Sequence, residues 1–216
     1  FSVKYIDERI LQTPAIALAQ LIKEMSYMLE VAQRALDKAM DNFINRTEDE
    51  EPVRKDLREI NFLSGKVTDY LIRLSEEDMS HNDELTVSSL YKVLGDIMRV
   101  ADFSNNIMRY LRVAVANELY FSSEGLNEIK EMYSLVDELF KDVDYTFANR
   151  TTRLLAKIED TESKTDKFKL QLQQNHLDRL KGGNCKSESS SLYVNLIGNI
   201  ERVADHLVYI AQSVKE

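Results

Sequence analysis

Two pairs of carboxylates stand one helical turn apart late in the sequence: Glu162 with Asp166 in "EDTESKTD", and Glu201 with Asp205 in "NIERVAD". Like charges at i and i+4 repel even when hydrated, and more strongly as water is withdrawn, unless a cation lies between them. On a helical wheel with Ile200 at zero, Glu201 and Asp205 fall at about 100° and 140°. They border a stripe made of Ile200, Val203, Ala204, Leu207, Ala211 and Val214, while Arg202 points away. With Glu162 at zero, Asp166 lies at about 40°, on the same half as Leu155, Ile158, Phe168 and Leu172. Both pairs therefore meet the buried side of a helix. Four carboxylates brought together from two helices joined by a short loop form the hard-oxygen set that Mg, Mn or Fe accepts. Acidic helical proteins also carry such pairs as solvated surface decoration. Spacing alone leaves both readings open.

Other residues with chemical potential are weaker. His176 lies on the inward half of its helix, where a lone His is more often a hydrogen-bonded core residue than a ligand. Arg99 and Arg202 occupy equivalent positions in a repeat and could pair with a carboxylate or bind phosphate; a salt bridge worth under about 1 kcal/mol is the better reading. No ligand is assigned to them. The single cysteine, Cys185 in "GGNCKSESSS", has no partner for an internal disulfide and lacks metal-site spacing, which fits a reducing compartment.

The elements that must position these groups are helices. With 216 residues, 44% hydrophobic and 30% charged, the chain can build one large core or two small ones. Six Gly and two Pro leave few breaks, and no apolar run approaches the roughly 20 residues that cross a bilayer. A net charge of -9 without a Lys/Arg cluster argues against a nucleic-acid partner and for cations as ligands. The chain starts at Phe1 without a signal-peptide pattern and reads as a piece of a longer polypeptide. Thr13-Pro14 starts a helix over 14–45 with Thr13 as its cap. Further helices are expected over 51–74, 83–118, from the Ser cap in "YFSSEGLNE" to 147, over 150–181 up to Gly182-Gly183, and from there to the end of the chain.

The halves repeat. "GDIMRVADFSNNI" from Gly95 aligns without gaps on "GNIERVADHLVYI" from Gly198, and "EINFLSGKVTDYLIRL" from Glu59 matches the stretch from Lys164, with Asn61 opposite Asp166. The expectation is an all-α fold of two tandem three-helix bundles. Residues 1–13 would be a linker, 14–118 the first repeat and 119–216 the second.

The repeated "RVAD", with "NIERVADHLVYIAQ" in full, resembles the signature helix of the PhoU family, approximately E-R-I-G-D-H. "DERILQTPAIALAQ" and "NHLDRLKGGNC" resemble the PhoU-like C-terminal region of bacterial sodium/phosphate cotransporters. That resemblance implies a PhoU-like fold and a regulatory, non-enzymatic domain on the cytoplasmic side of the cell membrane. Its partners would be the transport domain of the same polypeptide, metal ions and a possible homo-oligomer. It also implies E-x-x-x-D metal sites holding Fe, Mn, Zn or Mg. Carried over by position, the candidate ligands are Glu162, Asp166, Glu201 and Asp205, with Asp102 surviving from the first half. There Met98 replaces the Glu and Asn61 the Asp, so the first-half site is weakened or lost. The alternatives are a standalone PhoU-type regulator of phosphate uptake and a purely structural interaction module. A ferritin-like di-iron oxidase is excluded, because none of His81, His176 or His206 follows a Glu at i-3.

Overall fold

Apolar residues recurring at three and four, with few breakers between them, produce six long helices in a computed structural model that describes residues 1–183 and 186–215. They are α1 (Pro14–Asn45), α2 (Glu51–Ser75), α3 (His81–Ala116), α4 (Ser123–Asn149), α5 (Leu155–Lys181) and α6 (Ser187–Gln212), with single 3-10 turns at Glu8–Ile10 and Ser213–Lys215. No strand occurs among the described residues. The reading of Cys185 falls outside them.

Helices α1, α2 and α3 pack on one another, as do α4, α5 and α6. The fold is all-α, two three-helix bundles in tandem. The bundles join along two helix pairs, α3 with α6 and α1 with α4. Helix α1 touches three neighbouring helices, and Ala17, Ala32, Ala35 and Ala39 are all nearly inaccessible, as close helix approach requires. Register at the joints is fixed by polar contacts. Asn199 Nδ2 donates to Tyr110 Oη at 2.9 Å and its Oδ1 accepts from Asn106 at 2.9 Å. Ser26 Oγ donates to Asp144 at 2.6 Å, and Tyr133 Oη donates to Asp37 at 2.5 Å.

Helix ends differ from expectation in instructive ways. Pro14 does open α1, but the Thr13 hydroxyl caps nothing; only its carbonyl accepts, from Ile16 and Ala17. Helix α3 starts at His81 because Ser80 is its cap, accepting from Asp83 N at 3.1 Å. It stops at Ala116, since Glu118 is left-handed at φ 53°. Helix α5 starts at Leu155, not Arg150: Arg150 has φ 50° and belongs to the C-terminal cap of α4, with Thr151 N donating to Thr146 O. The leading segment packs onto the first bundle through Lys4–Asp7. The buried carboxylate of Glu24 accepts from the backbone N–H groups of Lys4, Tyr5 and Ile6 at 2.9–3.2 Å, and Tyr70 Oη donates to Asp7 O.

Candidate functional site: the acidic face of α5 and α6

The long apolar stripe of α6, with Val203, Ala204, Leu207 and Ala211 buried, fixes the helix's rotation and leaves Glu201 and Asp205 half-buried along its edge. Helix α5 is fixed in the same way by Leu155, Ile158, Thr161, Thr165 and Leu172. Glu162 is half-buried, whereas Asp166 is exposed. The four carboxylates lie near enough across the α5/α6 helix pair for their charges to act on one another. Burial, then the charges of Asp205, Asp166, Glu159 and Glu201, push the Glu162 carboxyl above its usual range. Burial and Glu201 do the same to Asp166; burial, Glu201 and Asp166 do it to Asp205. The charges of the two pairs thus act on one another, although among the described residues no three of these side chains are placed to hold one ion.

Asp102, the candidate from the first half, is apart from them. It is exposed on α3, and Met98, one turn before it, packs partly against the core. Asn61 and Leu57 stand on α2 where Asp166 and Glu162 stand on α5. The registers correspond residue for residue: Val53, Asp56, Ile60, Val67 and Leu71 are buried on α2, as Ile158, Thr161, Thr165, Leu172 and His176 are on α5.

The chemistry of the donor set does not by itself fit a metal. Among the described residues, no three Asp, Glu, His or Cys side chains are placed to hold one ion together. Instead an ammonium group lies in the groove: Lys169 Nζ is 3.0 Å from Glu201 Oε2, with both side chains about three-quarters buried (25% and 22% exposed). Lys169 pulls the carboxyls of Asp166 and Asp205 back toward ionisation. The metal expectation for Glu162, Asp166, Glu201 and Asp205 rests on proximity and not on a closed ligand set.

Two histidines lie off this face. His206 Nδ1 pairs with Asp96 across the α3/α6 joint at 2.9 Å, although its neighbour Asp205 points into the groove. His176 is buried about 15 Å of helix rise beyond Asp166. It hydrogen-bonds Ser190 and stacks on Tyr193 at 4.7 Å, in the wall of a cavity of about 370 Å³ near Arg179. Sequence spacing missed Lys169, which comes from the helix opposite Glu201. It also missed the Arg179 Nη2 to Glu128 pair at 2.7 Å, to which Tyr193 and Asn175 donate.

A duplicated three-helix bundle whose second copy carries facing E-x-x-x-D pairs defines a class of all-helical, two-repeat proteins. The PhoU domain matches this chain twice, over residues 25–111 and 129–214, and the chain belongs to the PhoU domain family. The chain is 24% identical to the phosphate-specific transport system accessory protein PhoU homolog 1 of Thermotoga maritima, over 91% of this chain and 85% of that protein. It is also 22% identical to protein YjbB of Salmonella typhimurium, whose name assigns it to inorganic phosphate export, and 24% identical to YjbB of Escherichia coli K12. Each of those alignments covers 99% of this chain but 40% of the relative, so the chain spans less than half the length of those proteins. The crystal structure of PhoU from Pseudomonas aeruginosa shares the fold, with a TM-score of 0.73 over 95% of this chain and 94% of that one at 16% identity.

Proposed function

We propose that this chain is a PhoU-type regulator of phosphate transport that acts through protein contacts and not by catalysis. The observation that carries the reading is the PhoU domain matched in both halves, with a PhoU homologue aligned over 91% of this chain. Among the described residues no helix is long and apolar enough to cross a membrane, so any movement of phosphate belongs to a partner or to another segment. The sodium/phosphate cotransporter setting expected from the leading segment has no counterpart in the relatives' names. Those names speak of phosphate export and of an accessory protein to a phosphate-specific transport system.

A second reading is favoured by the YjbB alignments, in which nearly the whole of this chain corresponds to 40% of a longer protein. In it, the two bundles regulate a phosphate exporter to which they are covalently joined. One experiment addresses both. Removing residues 1–216 in frame from the chromosome of the source organism should change the rate of radiolabelled phosphate accumulation, and supplying the chain from a plasmid should restore it. Restoration by the separate chain supports a freely acting regulator; restoration only when it is fused in place supports the joined domain. Unchanged influx and efflux in the deletion strain would refute both.

A further inference from the structure

We infer that the cavity between the end of α5 and the start of α6 is a binding site for a small organic anion, whose charge Arg179 takes and whose body lies against an aromatic wall. This end of the second bundle is apart from the acidic face, and the site stands whether or not the regulatory reading does.

The internal repeat shows that the fold itself needs no polar cavity here. In the register that aligns α1 with α4, α2 with α5 and α3 with α6, Leu21, Leu71, Leu74, Val87 and Leu90 of the first bundle become Gly125, His176, Arg179, Ser190 and Tyr193. The five apolar side chains are 0–4% exposed and belong to the hydrophobic core. Four of their counterparts line one cavity, and the fifth, Ser190, hydrogen-bonds the His176 ring. Each change removes apolar bulk or buries a polar group, which costs stability unless the group is used.

Neutralising the buried acid Glu128 does not account for the set. Its counterpart in the same register is Glu24, which is satisfied by backbone N–H groups alone. Glu128 accepts from Tyr193 Oη at 2.9 Å and Asn175 Nδ2 at 2.8 Å, and pairs with Arg179 Nη2 at 2.7 Å. The other edge of that guanidinium is left over. Arg179 Nη1 is buried and makes no hydrogen bond among the described residues, with only the exposed Glu124 carboxylate 3.5 Å away. Glu128 thus holds the guanidinium in place while Nη1 remains available to a ligand oxygen.

The remaining lining defines the rest of the ligand. Tyr193, stacked on His176 at 4.7 Å, stands with Tyr120 and Phe121 as an aromatic wall. Gly125 keeps the space before it open, since a methyl group there would lie 3.7 Å from the Tyr193 ring and 3.8 Å from Arg179 Nη2. Glu118 and Lys186 also line the cavity and offset each other in charge. Its volume of about 370 Å³ falls within the range of small-molecule pockets and is more than a bare phosphate ion fills. One guanidinium edge beside an aromatic wall selects a molecule with an apolar body and a single phosphate or carboxylate group.

The test is calorimetric titration of the full chain with AMP, phenylacetate, inorganic phosphate and adenosine. AMP or phenylacetate should bind with a dissociation constant of about 0.1 mM, and at 10 mM should raise the melting temperature by about 5 °C. Binding of AMP alone identifies a phosphate ester as the source of the charge, and binding of phenylacetate alone a carboxylate. Inorganic phosphate, which lacks the body, and adenosine, which lacks the charge, should each bind at least about tenfold more weakly. R179K keeps a cation for Glu128 but loses the free edge, and should weaken binding about tenfold. H176L/S190V installs the side chains of Leu71 and Val87; without ligand it should melt at or above the wild-type temperature, and it should bind at least about tenfold more weakly. Circular dichroism checks that both variants remain helical. Failure of both AMP and phenylacetate to bind at 10 mM, equally tight binding of phosphate or adenosine, or wild-type affinity in both variants overturns the inference.

Discussion

Glu24 is a carboxylate without exposed surface, set in a helix face otherwise made of Ala17, Leu21, Met25 and Met28. An ionised acid there is tolerable only because three backbone N–H groups of the leading segment converge on it, from Lys4, Tyr5 and Ile6. The residue thus ties residues 1–13 to the first bundle, with Lys4 Nζ adding a contact 4.4 Å from the Tyr27 ring. Removing it leaves a cavity and three donors that must find water. E24A is expected to cost about 2–3 kcal/mol, and E24Q, which keeps the shape but loses the charge, about 1 kcal/mol. Limited trypsin digestion provides a local readout, since Lys4 and Arg9 should be cut much faster in E24A. An unchanged cleavage rate would mean that the segment is held by other contacts. The signal for this role was present in "LIKEMSYM", an acid on an otherwise apolar face; its partners were not legible, because backbone amides look alike in every sequence.

At the scale of elements, the two repeats end their first helices alike and stabilise those ends differently. Arg46 and Arg150 are both left-handed, at φ 54° and 50°, which costs a non-glycine residue about 1 kcal/mol. Arg46 offsets this by donating to Ala114 O at 3.1 Å in the last turn of α3 and to Leu119 O at 2.7 Å just beyond that helix, while lying 4.1 Å from the Tyr120 ring. The Nη1 of Arg150 is buried without a hydrogen-bond partner, and burial pulls its guanidinium pKa down. R150G should therefore be stabilising by up to about 1 kcal/mol, whereas R46G should be destabilising by about 1–3 kcal/mol despite the same relief of backbone strain. Urea denaturation of the two variants decides it, and equal shifts would show that the carbonyl contacts to α3 contribute nothing. The same residues explain where sequence reading of the elements failed. Six helices and their buried faces were legible because each apolar stripe is long and repeats at the helical period. The boundary between α4 and α5 was not, since the left-handed cap is filled by Arg150 where Gly or Asn would have announced a stop. The acidic pairs were legible as pairs for the same periodic reason. Lys169 was not, because its meeting with Glu201 depends on how two helices are rotated against each other.

For the molecule as a whole, carboxylates held above their ordinary pKa recur where helices meet. Asp37 and Asp137 crowd together at the α1/α4 joint, Asp96 sits against His206 between α3 and α6, and Glu162, Asp166 and Asp205 line the α5/α6 groove. Asp137 is the extreme case: loss of water, then the charge and hydrogen bond of Asp37, push it up to about 7. It is faced by Asp37, Asp41 and Gln33 of α1, and Tyr133 of its own helix donates to Asp37. A carboxyl with a folded pKa above its unfolded value binds more protons in the folded state, so stability falls as pH rises between the two values. The window here runs from about 4, where an unfolded Asp titrates, to about 7. Asp7, held down to about 2 by Arg9, and Glu51, lowered by Arg58, act in the opposite sense at lower pH, and His176, lowered by burial and Arg179, does so below the ordinary imidazole pKa of about 6.5, one group against the carboxyls of three helix joints. The melting temperature should therefore be higher at pH 5.5 than at pH 8, the reverse of a protein held by ordinary carboxylate salt bridges. Acidification also reduces the self-repulsion of a chain with net charge -9, so the contribution of the joint needs a control. D137N removes both the shifted group and one negative charge, while D78N removes one charge from an exposed site. D137N should raise the melting temperature at pH 8 and flatten its dependence between pH 5.5 and 8, and D78N should leave that slope nearly as in wild type. A flat wild-type profile, or equal slopes for the two variants, would mean that the joint between the bundles does not respond to protons in this range.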